Sequence, residues 1–244
     1  MKRFALALIA AAAASAGIAA PETYLLDPTH TLPGFSVNHL GMSTVRGLFE
    51  GASGKVVIDR AARTGSVELK IATSTVYTGY SKPTGAGRTR DDHLRSADFF
   101  NVAEFPEMSF RSSKIHFTGD APDSIEGTLT LLGVSKPLTL KVDSFKCGAN
   151  PMSKKEMCGA DVSGSIRRSD FGMKYALPAI GDEVRLAIAV EGYKQSRRGR
   201  GSGSGSGSGG GGRKRDAPPM PAAADAGRHG FGTLARWTNP MSRG

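Results

Sequence analysis

The stretch EVRLAIAVEGY, residues 183–193, alternates apolar and polar or small side chains with a period of two. Successive side chains of a β-strand point to opposite faces, so the larger apolar residues of this stretch share one face. Such alternation is typical of a strand with one buried face in an antiparallel sheet. The residues predicted to point inward are Val184, Leu186, Ile188 and Val190.

The same alternation recurs through residues 21–195. Residues typical of turns separate the alternating stretches, as at Gly51–Gly54 and Gly133–Pro137. Eight or more strands with short connections predict an all-β fold, either an antiparallel barrel or a sandwich. The clearest further examples are Ser66–Ile71, Lys114–Thr118, Thr128–Leu132 and Lys136–Val142.

One segment of this region has a helical pattern instead. Asp91–Phe100 places Leu94 and Ala97 at turn spacing, and either Asp91 or Asp92 is a suitable N-cap. The sequence therefore predicts a single short helix within a fold that is otherwise made of strands.

Charge is unevenly distributed along the chain, which has 244 residues and a formal net charge of +10. Basic and acidic residues nearly balance in residues 21–195, so the excess lies in residues 1–20 and 196–244. A nucleic-acid-binding domain needs cations clustered on its folded surface. The composition therefore predicts one domain at residues 21–195 and argues against nucleic acid as its partner.

Residues 1–20 are predicted to be a secretory signal peptide. Lys2 and Arg3 precede the apolar run Phe4–Ala14, and small residues follow it. The apolar run is shorter than the roughly 18 residues that are needed to span a bilayer. We therefore expect an exported protein.

Residues 196–244 form a basic tail that is rich in glycine and serine. The run Gly201–Gly212 has no apolar side chain to bury, so the tail is predicted to be disordered. A basic arm that binds an anionic partner is an alternative role for this tail.

Cys147 and Cys158 are the two cysteines of the chain. In an oxidising compartment an isolated pair usually forms a disulfide, here across the end of a hairpin. A metal site would need further ligands, and the loop between the two cysteines contains no histidine. We expect the disulfide.

No recognisable catalytic motif is present in the predicted domain. His30 and His39 flank a predicted strand, and three roles are open for them: a metal pair, polar groups at a pocket rim, or hydrogen-bonded structural residues. Residues 90–96 are either a capped helix with internal ion pairs or a guanidinium site for an anionic head group. Within Arg168–Met173, pairing of an arginine with an aspartate is expected to fix a bend.

Four segments of the domain carry distinctive patterns of residue types. They are Tyr24-x-Leu26-Asp27-x-x-His30, continued by Phe35, Val37, His39, Leu40 and Gly41; Arg90-Asp91-x-His93-Leu94-Arg95-Ser96-x-Asp98-Phe99-Phe100; Gly127-x-Leu129-Thr130-x-x-Gly133-Val134; and Arg168-Ser169-Asp170-Phe171-Gly172-Met173. Taken in this order, they resemble the YceI-like family of bacterial exported, polyisoprenoid-binding proteins. The resemblance extends from about Tyr24 to Lys194, which is essentially the whole domain.

This resemblance implies an antiparallel lipocalin-like barrel, eight-stranded or slightly larger, with one short helix. It implies that the barrel binds a polyprenyl phosphate or an isoprenoid quinone in the periplasm, for sequestration or transport, without catalysis. The expected partners are this lipid, a membrane contacted transiently, and a second copy in a homodimer; no cofactor beyond the bound lipid is expected. The alternative is a hydrolase or another enzyme acting on a small apolar substrate, with His30 or His93 as its base.

The choice of lipid depends on more than burial of its chain. A lipid that leaves a membrane gains little by entering an apolar barrel, so its head group, the pocket length and the pocket mouth must decide which lipid binds. The head-group candidates are polar residues near predicted strand ends: His30, Asn38, His39, Arg90, Asp91 and His93. The pocket-lining candidates are Phe35, Val37, Leu40, Phe49, Phe99, Phe110, Leu129, Phe171 and Met173.

Overall fold

The computed structural model describes residues 20–83 and 87–196. The predicted signal peptide, apart from its last residue, and the predicted tail, apart from its first, lie outside these residues. Within them the chain forms eleven strands and one α-helix. The strands are β1 (Glu22–Leu26), β2 (Leu32–His39), β3 (Ser43–Phe49), β4 (Ala52–Asp59), β5 (Thr64–Ala72), β6 (Val76–Tyr77), β7 (Glu107–Thr118), β8 (Ala121–Leu131), β9 (Val134–Ala149), β10 (Glu156–Arg167) and β11 (Ile180–Lys194), and the helix is α1 (Arg90–Arg95).

Eight of the strands close into an antiparallel barrel. Their order around the ring is β1-β4-β5-β7-β8-β9-β10-β11, and β11 pairs again with β1. The closing pair places Tyr24 opposite Lys194 and Leu26 opposite Gly192. Of the two architectures that the alternating pattern allows, the barrel is confirmed and the sandwich is excluded.

The three remaining strands extend the wall of the barrel at one end. β11 is 15 residues long and has β10 along one edge. Along its other edge it pairs with β1 near its C-terminus and with β2 over Ile180–Ala189. β3 pairs with β2, and β6 with β3. Helix α1 is attached beside β6, because Arg95 donates hydrogen bonds to the carbonyl oxygens of Ser74, at 2.7 Å, and Val76, at 2.9 Å.

The alternating pattern of residues 183–193 is confirmed. The four predicted inward residues of β11 are partly buried, whereas the residues between them at positions 185, 187 and 189 are exposed. The other predicted strands lie, to within one residue, inside β5, β7, β8 and β9, which extend further than the pattern indicated.

Two predicted turns are wrong in extent. Ala52, Ser53 and Gly54 belong to β4, and the β8–β9 hairpin turns at Leu132 and Gly133 alone, both with positive φ. Pro137 belongs to β9 and lies opposite Thr128 of β8. Since β9 pairs with β10 only over residues 141–149, one edge of β9 at Pro137 has no neighbouring strand, and there a proline is tolerated.

The predicted helix is also shorter than expected. It begins after Thr89, not at an aspartate, because Thr89 and Asp92 form a reciprocal capping box. It ends at Ser96, whose hydroxyl donates to the carbonyl oxygen of His93. No helix in the described part of the chain has the length and apolar character that crossing a membrane requires.

A buried arginine fixes the connection between β10 and β11. Arg168 is 2% exposed and donates to the carbonyl oxygens of Gly181 (2.8 Å), Ile180 (2.9 Å) and Met173 (3.1 Å). Burial lowers the pKa of its guanidinium, and the nearby charge of Asp182 opposes this. The expected pairing of Arg168 with an aspartate of its own segment is therefore wrong, since its partners are backbone carbonyls.

The predicted disulfide joins Cys147 to Cys158. The two residues face each other in the register of β9 and β10, beside the turn that connects these strands. The bond therefore closes this end of the hairpin covalently.

Replacement of both cysteines by serine should destabilise the domain by about 2–3 kcal/mol, because the unfolded chain regains the entropy of the open loop. Urea unfolding of the oxidised protein and the Cys147→Ser, Cys158→Ser variant measures the difference. The free energy of unfolding of the oxidised protein should also fall to the level of the variant on reduction. Equal stability of the oxidised protein and the variant would contradict this role.

Replacement of Arg168 by leucine should destabilise the domain by about 3 kcal/mol or more, because three backbone carbonyl oxygens around the buried guanidinium lose a charged donor. Arg185→Leu is the matched control, since Arg185 is exposed on β11 and should cost within about 0.5 kcal/mol. Urea unfolding compares the two. A loss for Arg168→Leu as small as that of the control would show that the guanidinium does not stabilise this connection.

Candidate functional site

The barrel encloses two apolar cavities. One, here the disulfide-end cavity, has Cys158 in its wall and leaves about 100 Å³ for the centre of a water-sized molecule. The other, here the helix-end cavity, has Leu94 of α1 in its wall and leaves about 120 Å³. The space available to a guest is larger than these values, because the radius of the guest extends beyond its centre. The barrel is therefore hollow on both sides of its middle.

The disulfide-end cavity is built from alternate residues of the surrounding strands. Its wall includes Tyr24 and Leu26 of β1, Ile58 of β4 and Val67 of β5, all of which are buried. These side chains expose almost no polar surface to the cavity. A hydrocarbon is the chemical class that such a wall accepts without loss of hydrogen bonds.

The helix-end cavity has an aromatic wall. Phe35 of β2, Phe49 of β3 and Phe100 contact one another through tilted and edge-on rings, with centroids 5.2–6.5 Å apart. Leu94 of α1 completes the wall on this side. Helix α1 and the added strands β2 and β3 thus help to enclose the part of the interior that lies beyond β1.

Four residues line both cavities. They are Leu69 of β5, Phe110 of β7, Leu140 of β9 and Ile188 of β11, and together we call them the collar. Because each of them contacts both spaces, the two cavities adjoin end to end inside the barrel.

Most of the predicted pocket residues lie in the wall of the helix-end cavity. These are Phe35, Val37, Phe49, Phe99, Phe110, Leu129 and Met173. The prediction that Leu40 lines the pocket is wrong, because Leu40 lies in the turn after β2 with φ +58° and is 54% exposed. The prediction for Phe171 is also wrong. Phe171 is buried, but it lies in a short turn after β10 and lines an outer groove with Lys136 and Pro137. Side chains alternate between two faces only within a strand, so this alternation does not predict where the side chains of these two turn residues point.

None of the six predicted head-group residues lines either cavity. On α1, the buried Asp91 accepts hydrogen bonds from Thr78, from its N at 3.1 Å and from its Oγ1 at 2.6 Å. The Arg90 guanidinium lies over the Tyr80 ring at 5.4 Å. These residues fasten the helix to the chain around β6, so the capped-helix interpretation of residues 90–96 fits better than a head-group site.

His93 stands behind the wall of the helix-end cavity. Its Nε2 lies 2.9 Å from Oδ2 of Asp98, and its ring contacts the rings of Phe99 and Tyr175 edge-on at 5.0 and 5.2 Å. Phe99 lines the cavity, but His93 does not. His93 therefore supports an aromatic wall residue and has no direct access to a guest in the cavity.

His30 lies on the outer surface of the barrel. Its Nδ1 is 3.0 Å from Oδ2 of Asp27 and 4.0 Å from Oε2 of Glu191, which alternates with the inward Val190 on β11. The hydrogen bond to Asp27 and the charge of Glu191 raise the pKa of His30. Hydrogen bonds from Thr29 and then His30 lower the pKa of Asp27. The three side chains bring together nitrogen and oxygen donors that could hold a cation, but outside the barrel.

Asn38 and His39 lie at the other end of β2. The exposed Asn38 accepts a hydrogen bond from the backbone N of Gly41 at 2.8 Å and so shapes the turn. His39 pairs in register with Ile180, which lines the helix-end cavity, but His39 does not line it. His30 lies two residues before β2 and His39 is its last residue, so the extended strand of eight residues keeps the two side chains more than about 20 Å apart and rules out the metal pair that the sequence left open.

The predicted pocket-lining residues do not include three of the four collar residues. Leu69, Leu140 and Ile188 stand at inward positions of predicted strands, so the period-two pattern could have identified them as lining residues. Their common level along the barrel depends on the register of the strands, which the pattern does not contain.

Comparisons with known proteins agree with this architecture. Residues 24–192 match the model of the YceI-like domain. Protein YceI of Escherichia coli O157:H7 is 36% identical over 184 residues, which cover 74% of this chain and 92% of that protein. Protein YceI of Salmonella arizonae is also 36% identical, over 182 residues.

Solved structures show the same fold. The Campylobacter jejuni YceI protein has a TM-score of 0.53 and 28% identity, and the match covers 65% of this chain and 90% of that one. A domain from Saccharophagus degradans, described as polyisoprenoid-binding, has a TM-score of 0.50 and 18% identity, with 70% of this chain and 98% of that one covered. The family model and the identity to the curated relatives together show that the chain belongs to the YceI-like family.

Proposed function

We propose that this protein binds a long polyisoprenoid lipid, a polyprenyl phosphate or an isoprenoid quinone, inside the barrel and sequesters or transports it in the periplasm. The observation that carries this proposal is the pair of adjoining apolar cavities along the barrel interior. The description of the Saccharophagus degradans domain as polyisoprenoid-binding supports the same class of ligand for a barrel of this fold.

The chemistry of the cavity wall favours the hydrocarbon part of such a lipid. Each CH₂ group that moves from water into an apolar site contributes about 0.8 kcal/mol, whereas a polar group buried without a hydrogen bond costs energy. The prenyl chain therefore occupies the apolar interior. Since the predicted head-group residues lie outside both cavities, the polar head group stays at a mouth of the barrel.

Two features support export to the periplasm. The disulfide between Cys147 and Cys158 suits an oxidising compartment. The signal peptide predicted at residues 1–20 would direct the export of the protein. The homodimer stays a prediction.

The enzymatic alternative receives less support from the geometry. Its two candidate bases are separated from the interior, His30 on the outer surface beside β11 and His93 behind Phe99. A base must come within hydrogen-bond reach of the substrate proton that it removes. Neither histidine lines a cavity in which an apolar substrate would lie.

Exposed apolar residues at the helix end offer a surface for loading from a membrane. In the turn between β2 and β3, Leu40 is 54% and Met42 is 89% exposed. The backbone N of Leu40 donates to the carbonyl oxygen of Ala179, next to Ile180 in the cavity wall. Insertion of this turn among lipid head groups would place the helix-end cavity beside the membrane.

Protein purified from its native host should release a prenyl lipid on extraction with organic solvent, as identified by mass spectrometry. Val184→Trp should reduce the lipid content, because it places a large side chain in the wall of the helix-end cavity. Arg185→Trp is the matched control, because it adds the same side chain to the exposed face of β11. An empty wild-type barrel that also takes up no prenyl lipid from solution would refute the proposed function.

Met42→Asp should slow the transfer of a bound prenyl lipid to vesicles of phosphatidylethanolamine and phosphatidylglycerol several-fold, because a charge opposes insertion of the turn. The lipid content of the loaded protein should not change. Met152→Asp is the control, since Met152 is 92% exposed in the β9–β10 turn at the disulfide end. Slower transfer by the control alone would place membrane contact at the disulfide end instead.

A further inference from the structure

The collar residues alternate with glycines around part of the barrel. Between the strands that carry Phe110 and Leu140 lies β8, and between those that carry Leu140 and Ile188 lies β10. β8 contributes Gly127, two residues before the wall residue Leu129, and β10 contributes Gly164, two residues after Val162. Because side chains alternate along a strand, both glycines stand at inward positions.

Two collar side chains lie over these glycines. A β-carbon added at Gly127 would be 2.5 Å from Cζ and 2.7 Å from Cε2 of Phe110. A β-carbon added at Gly164 would be 2.9 Å from Cδ2 of Leu140. The ring and the methyl group therefore occupy the space that any larger residue at these two positions would fill, and they lie back against the wall of the barrel.

We propose that Gly127 and Gly164 hold the collar open, so that a single prenyl chain passes between Phe110 and Leu140 and fills both cavities. In this role the two glycines determine which chain lengths the protein binds. The inference rests on the proposed function and specifies how its binding site selects a guest.

The physical reason is the fixed width of the barrel. A side chain at either glycine cannot move outward through the wall, so the collar residue above it must move toward the barrel axis. A closed collar confines the guest to one cavity. Isoprene units beyond the length of that cavity would then remain in water and contribute nothing to affinity.

Substitution of Gly164 by valine tests the proposal more specifically than a substitution at Gly127 does. The atom nearest to its added β-carbon is the end of the Leu140 side chain, and the nearest backbone atom, the carbonyl oxygen of Thr139, lies 3.5 Å away. At Gly127 the carbonyl oxygen of Arg111 lies only 2.6 Å from the added atom, so substitution there would also displace the backbone. Gly148→Val is the matched control, because a β-carbon at Gly148, on the same sheet, meets no atom within 4 Å.

The experiment measures the binding of geraniol, farnesol, geranylgeraniol and solanesol, in order of rising length, to the full delipidated chain by displacement of a fluorescent prenyl probe. For the wild type and Gly148→Val, affinity should rise about tenfold or more per isoprene unit until both cavities are filled. For Gly164→Val the rise should stop at a shorter chain, while geraniol, which needs only one cavity, should still bind. Ile188→Trp narrows the collar from β11 without replacement of a glycine, and it should stop the rise in affinity in the same way. This variant tests the passage through the collar if Gly164→Val fails to fold.

The outcomes separate the two proposals. A wild-type protein that binds none of the four alcohols would overturn the proposed function. A wild-type protein that binds them, with an unaltered dependence on length in Gly164→Val and Ile188→Trp, would leave the proposed function standing and overturn the passage through the collar.

Discussion

A closed barrel of eight strands has an interior just wide enough to be filled by its own side chains or to hold one small guest. The size and direction of each inward side chain therefore decide whether the barrel is solid or hollow. In this protein the large residues at the middle, Phe110 and Leu140, lie back over glycines on neighbouring strands. Apolar space remains on both sides of them. The proposed binding of a lipid depends on this arrangement.

The polar residues of the family motifs have a different task from the one that their chemistry first suggests. Asp91 accepts hydrogen bonds from Thr78, and Arg168 donates to three backbone carbonyls at the entry to β11. His93 pairs with Asp98 behind the aromatic wall. Each of these groups is satisfied by the protein itself, and buried polar groups need such partners. These polar residues shape the connections at the helix end, and the interior is left almost free of polar groups.

Much of the fold could be predicted from the sequence, because one buried face per strand leaves a period-two pattern such as that of residues 183–193. The single helix and the cysteine pair followed from equally local signals. Closure of β11 on β1 is a pairing between the two ends of the domain, which no local pattern reports. Among the features of the sequence, only the family resemblance favours a barrel over a sandwich.

The candidate site was less predictable for a related reason. Lining residues within strands, such as Phe110 and Leu129, could be identified, whereas Leu40 and Phe171 lie in turns where alternation does not hold. The level of each residue along the barrel depends on strand register, and bulges shift that register in β7 and between β9 and β10. Polar residues near predicted strand ends indicate a pocket mouth, but those on α1 fasten the helix or support the aromatic wall, and Asn38 of β2 shapes a turn.

The hollow interior is tested most directly by a high-resolution crystal structure of the full chain as purified from its native host. We expect elongated electron density that runs without a break through both cavities and past the side chains of Phe110 and Leu140. An interior filled by the protein's own side chains, or by hydrogen-bonded water in place of hydrocarbon, would contradict a lipid-binding barrel.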